Sequence, residues 1–172
     1  MIDHLDVAPA ALGLIFAVGG IGGILGAAVV ERVSRRVGVG WAITGGLLVM
    51  SMGEMLIPLA SFVPAGAVPI LAAAELVVGV SGMIFGINQT SLRLALIPDR
   101  LQGRANATAR TLVGGASMLG PLAGGIAATA FGLRPLFVVA AICTMLGGLW
   151  LLFSAVPRLR HLPSTAVQDT EG

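Results

Sequence analysis

Four side chains stand where polar chemistry is expensive. Glu54 and Glu75 interrupt apolar runs, and Asn88 and Gln89 follow in the same run as Glu75. Each glutamate lies about seven or eight residues from a turn-rich break at 62–66, which is about 10–12 Å by helical rise. If these runs cross a bilayer, a carboxyl at that depth is costly and points to function. Burial disfavours the charged form, so either acid could carry a proton in exchange for a cargo. The plainer roles are facing an outer aqueous vestibule or bonding a neighbouring helix. Asn88 and Gln89 could line a polar cavity, or bond across helices.

Other chemistries find no support. The single cysteine, Cys143, allows no intrachain disulfide. His4 and His161 sit near opposite ends and form no metal-ligand cluster with it. The stretch Gly19–Gly26 lacks the G-x-G-x-x-G spacing, and no Walker lysine or preceding strand accompanies it. Ser, His and Asp do not group as a triad. No enzyme, metal or cofactor is therefore expected. Asn88-Gln89-Thr90 and Asn106-Ala107-Thr108 match the glycosylation sequon, but one falls inside an apolar run and the other on the arginine-rich side.

The elements that must hold these residues follow from composition. The chain has 172 residues, 56% hydrophobic and 10% charged, with a mean hydropathy of +0.98. A soluble domain carries about 25% charged residues. Too little charge remains to coat a water-facing surface, which excludes a disordered chain, a basic nucleic-acid binder and most soluble enzymes. An all-α polytopic membrane protein is expected. At roughly 20 residues per span, five or six spans fit.

Five apolar segments separate: about 10–30, 40–61, 68–97, 108–131 and 136–156. Basic or Pro/Gly-rich turns at 31–36, 62–66, 98–100, 132–135 and 157–161 bound them. The expected organisation is a helical bundle over 1–157 and a polar cytoplasmic tail over 158–172. The third segment is long for one crossing and is expected to tilt or project.

Every basic residue is arginine. If the spans alternate, Arg32, Arg35, Arg36, Arg93, Arg100, Arg104, Arg110, Arg158 and Arg160 share one side. Arg134 faces the other, with the acidic start Asp3 and Asp6. The positive-inside rule then puts the N-terminus outside and the C-terminus in the cytoplasm. The first six residues are acidic where a signal peptide would be basic.

Gly19 and Gly23, Gly22 and Gly26, Gly82 and Gly86, and Gly120 and Gly124 stand four apart. Small residues at that spacing let helices approach in a membrane. They are ordinary packing, or faces on which helices rock during transport. A weak echo of Val18-Gly19-Gly20 in Val113-Gly114-Gly115 is compatible with transporter repeats.

Three motifs carry a family resemblance. Ala27-Ala28-Val29-Val30-Glu31-Arg32-Val33-Ser34-Arg35-Arg36 resembles the loop motif G-x-x-x-D-R-x-G-R-R, with Ala27, Glu31 and Ser34 as replacements. Pro98-Asp99-Arg100-Leu101-Gln102-Gly103-Arg104-Ala105-Asn106-Ala107-Thr108 resembles the loop before a penultimate helix. Gly120-Pro121-Leu122-Ala123-Gly124-Gly125 resembles the G-P-x-x-G-G core of an antiporter motif. Together they resemble helices eight to twelve, the C-terminal part, of a major facilitator superfamily transporter of the bacterial drug- or siderophore-efflux type.

The resemblance implies proton-coupled efflux of a small molecule across a bacterial plasma membrane. It implies that helices one to seven come from a separate chain or a longer native gene. Glu31, Arg32, Arg35, Arg36 and Arg104 would form a cytoplasmic gate loop, with Glu31 pairing Arg104 or meeting the positive end of the fourth helix. A plain basic stop-transfer turn is the alternative reading of that loop. Gly120, Pro121, Gly124 and Gly125 would kink and pack the fourth helix. A second hypothesis is a non-transporting membrane protein: a truncated gene product, or a scaffold that associates through its glycine faces. The partners expected are the lipid bilayer, the missing helices and a small-molecule substrate, with no nucleic acid.

Overall fold

The structure, a computed structural model, describes residues 9–60, 62, 66–154 and 156–159. Asp3, His4, Asp6, Arg160, His161 and the rest of the expected tail lie outside the described residues. The described chain forms α1 (Pro9–Val37), α2 (Val39–Ala60), α3 (Ala67–Leu96), α4 (Asp99–Phe131) and α5 (Leu133–Leu152), then a 3-10 turn at Val156–Arg158. All five helices are long and apolar enough to cross a membrane. The all-α polytopic expectation holds. Helices suit this composition because a bilayer offers backbone groups no water, and a helix satisfies them within one segment.

The helix ends differ from the expected turns. Glu31–Arg36 is the last part of α1 rather than a loop. Nothing between Glu31 and Val37 breaks a helix, so charge carries it past the apolar stretch. The chain reverses at Gly38, whose φ of 90° suits glycine. Residues 99–107 likewise belong to α4, whose start is set by Pro98. Gly132, with φ 87°, joins α4 directly to α5.

The α3 helix is the hub. It packs along α1 on one side and α2 on the other, while α1 and α2 barely meet. The α1–α3 pair is parallel: Gly22 lies against Leu76, Gly26 against Val80, and Ser34 against Asn88. The α2–α5 pair is antiparallel, with Gly148 against Leu48 and Gly40 against Val156. Near that junction the Gly40 N–H donates to the Leu159 carbonyl at 2.9 Å. This brings residues 156–159 beside the start of α2, at the same end of the bundle as Arg32, Arg35 and Arg36.

Small residues dominate the buried positions, including Ala42, Ala60, Ala67, Ala74 and Ala141. The buried hydroxyls of Thr44, Ser51 and Ser81 bond to the carbonyls of Gly40, Leu48 and Val77 on their own helices. Such back-bonding satisfies a hydroxyl where no water reaches. The outward surface is apolar: Phe16, Ile24, Met118 and Trp150 are all exposed. In water so much exposed hydrocarbon would aggregate; in lipid it is the solvated face.

Candidate functional site

The two glutamates are held differently. Glu75 is half-buried on the face of α3 that meets α1. A Cβ added at Gly19 would stand 2.9 Å from Glu75 Oε2, so the carboxyl rests on a gap that glycine leaves. Glu54 is half-buried on α2, and its Oε2 is buried with no hydrogen-bond partner. Its neighbour Gly53 packs tightly on α3, with Val78 Cγ2 at 2.8 Å from an added Cβ. The carboxyl therefore lies next in sequence to a close helix contact.

The amides also part company. Asn88 is buried and already engaged: its Nδ2 donates to Ile84 O at 2.8 Å. Ser34 Oγ lies 2.8 Å from both Asn88 Oδ1 and Val30 O and shares its proton between them. Of the two readings, this is the one in which an amide bonds across helices. Gln89 points outward and is exposed. Ser34 was missed as a site residue by sequence reasoning. Its one signal was that it replaces a glycine of the loop motif.

The arginine-rich end is tied by short local bonds. Glu31 pairs with Arg35 one turn on, at 3.5 Å, and both are exposed. This contact takes the place of the expected pairing with Arg104. Within one helix at the surface such a pair contributes about 0.3–0.5 kcal/mol. Arg32, Arg36 and Arg104 are exposed. At the α3–α4 corner, Gln102 Nε2 donates to Ile97 O at 3.3 Å, covering a carbonyl at the end of α3.

The fourth helix carries its motif without partners inside the described chain. Gly120 and Gly125 have nothing within 4 Å of an added Cβ, and Gly124 meets only Leu136 Cδ2 at 4.0 Å. Pro121 lies inside α4 and is exposed. The expected close contacts occur at Gly19, Gly22 and Gly26 of α1, whereas Gly82 meets only Met50 Sδ at 3.5 Å and Gly86 has nothing within 4 Å; Gly148 of α5 packs closely without having been singled out. Gly79 of α3, not singled out by spacing, sits directly against the Gly19 carbonyl.

An open apolar groove of about 630 Å³ lies between α1 and α2 and is floored by α3, with Val37, Trp41, Val49 and Val80 on its walls. None of Glu54, Glu75, Asn88 and Gln89 lines it. Among the described residues no group of His, Cys, Asp or Glu is placed to hold a metal ion. Chemically, the arrangement offers two carboxyls on long apolar helices and an arginine-rich end.

Compared with known proteins, the chain matches the family model described as Major Facilitator Superfamily over residues 1–170. No curated protein and no solved structure matches it.

Proposed function

The chain belongs to the major facilitator superfamily of transmembrane transporters, and on that premise we propose that it serves proton-coupled efflux of a small molecule such as a drug or siderophore. The observation that carries the coupling is the buried Oε2 of Glu54, which has no donor. A carboxyl oxygen buried without a partner is an open hydrogen-bonding position. A proton, or a donor arriving with cargo, would fill it. Glu75 supplies a second acid on the adjacent helix, seated against α1 where helix motion would change its surroundings.

The proposed setting is a bacterial plasma membrane, with the arginine-rich end in the cytoplasm and the N-terminus outside. Support comes from Arg32, Arg35 and Arg36 at the end of α1 and Arg93 near the end of α3. Residues 156–159 come back to that same end. Further helices, from a second polypeptide or a longer gene, complete the pathway in this reading. The exposed faces of α4 are where they would pack.

The test is transport in vesicles from cells expressing the chain together with those helices, using a lipophilic cationic dye as cargo and an imposed pH gradient. Glu75→Gln and Glu54→Gln should each abolish gradient-driven efflux while leaving protein levels unchanged. A variant that still exports the dye at the original rate removes its residue from the coupling path. An upstream reading frame encoding seven hydrophobic spans would supply the missing helices; its absence leaves the scaffold reading.

A further inference from the structure

Two arginines with no part in the proposed proton coupling share a cavity. It lies between the end of α3 and the first half of α4, measures about 750 Å³, and is lined by residues including Thr90, Arg93, Asn106, Arg110 and Val113. No acidic residue is among those lining it. Arg93 is half-buried, and its Nη2 donates to Asn106 Oδ1 at 3.5 Å. Its Nε is buried and has no partner. Asn106 stands one turn before Arg110 on α4, so the residue that holds Arg93 also sets the height of Arg110.

This arrangement is unfavourable as it stands. Two guanidinium groups line one cavity with no acidic residue among its walls, so their like charge is uncompensated there. A buried guanidinium N–H without an acceptor forgoes a charge-assisted bond and keeps its desolvation cost. The ion pair seen among the described residues is Arg35–Glu31, which engages neither arginine. An oxyanion in the cavity would compensate both charges and offer acceptors to the Arg93 guanidinium. Guanidinium donors match phosphate oxygens in geometry, and several oxygens on one centre can serve two arginines. Position agrees: Arg93 is one turn from the end of α3, at the arginine-rich end, where in the proposed orientation lipid phosphates would border the hydrocarbon.

We propose that the cavity between α3 and α4 binds a phosphate group through Arg93 and Arg110. The group belongs either to an anionic lipid or to a free phosphate. Because α4 otherwise touches the described chain sparingly, the bound group would act as a clasp between α4 and α3. The site stands apart from transport and does not depend on it.

The full chain, purified in neutral detergent, tests this by thermal unfolding during titration. Phosphatidylglycerol, phosphatidylcholine and inorganic phosphate are the three probes. Phosphatidylglycerol or inorganic phosphate should raise the midpoint by several degrees, and phosphatidylcholine should not. Arg110 is exposed, so Arg110→Gln should fold normally and weaken the apparent affinity about tenfold, or ~1.4 kcal/mol. Arg100→Gln, outside the cavity, should leave it unchanged. A response to phosphatidylglycerol alone assigns the site to lipid; a response to inorganic phosphate assigns it to a free anion. The proposal is overturned if neither probe shifts the midpoint, if Arg110→Gln keeps the full shift, or if Arg100→Gln loses as much.

Discussion

At Ser34 a single hydroxyl ties the first helix to the third. The bond to Asn88 Oδ1 is asymmetric in what its loss would cost. Without Asn88, Ser34 still donates to Val30 O. Without Ser34, a buried amide oxygen loses its donor. Ser34→Ala should therefore destabilise the helix pair by about 1–2 kcal/mol, and Asn88→Ala should add little in the Ser34→Ala background. A double-mutant cycle on denaturant unfolding in micelles measures this; independent, additive effects would mean that the bond contributes nothing. Residue types alone marked Glu54, Glu75 and Asn88 as unusual, because charge and amides stand out in apolar runs. They could not decide which polar atoms find partners. That depends on what the opposing helix presents at the same height, and Ser34 lies far from Asn88 in sequence.

The α1–α3 contact is a seam of backbone. A Cβ at Gly22 would stand 2.6 Å from the Leu76 carbonyl, and one at Gly26 would stand 2.6 Å from the Val80 carbonyl. Neither obstacle is a side chain that could swing away, so α1 would have to retreat along its length. Gly22→Ala should cost about 1–3 kcal/mol, whereas Gly20→Ala, with nothing within 4 Å, should leave stability unchanged. Unfolding midpoints of the two variants provide the comparison, and equal midpoints would rule out the seam. The four-residue spacing revealed the glycine faces of α1 but not which helix they meet. It pointed equally to Gly120 and Gly124, which meet almost nothing within the described chain. Helix number was legible because hydropathy and length both limit it. Helix ends were less so: the arginine-rich stretch at 31–36 looked like a turn, yet arginine is a good helix former and only Gly38 permits the reversal.

Across the whole molecule, packing is uneven. The α1, α2 and α3 helices form a connected group to which α5 is joined through α2, and α4 joins it mainly through α5 and the Gln102 and Arg93 corner. None of the apolar window of α4 is buried. Charge is uneven too, with arginines gathered at one end. The proposed orientation predicts that a cysteine at position 104, made as Arg104→Cys in a Cys143→Ser background, reacts with a membrane-impermeant maleimide in inverted vesicles and not in intact cells. Labelling in intact cells would reverse the topology.

The bond between Gly40 and Leu159 joins residues made at very different times. When α2 leaves the ribosome, the carbonyl that will receive the Gly40 N–H has not yet been translated. At about 5–20 residues per second the wait lasts seconds, and α5 is also not yet available to cover α2. The contact between the start of α2 and residues 156–159 therefore forms only after α5 has been made, and nascent chains stalled before Leu159 should be more open to proteases there than chains that extend past it.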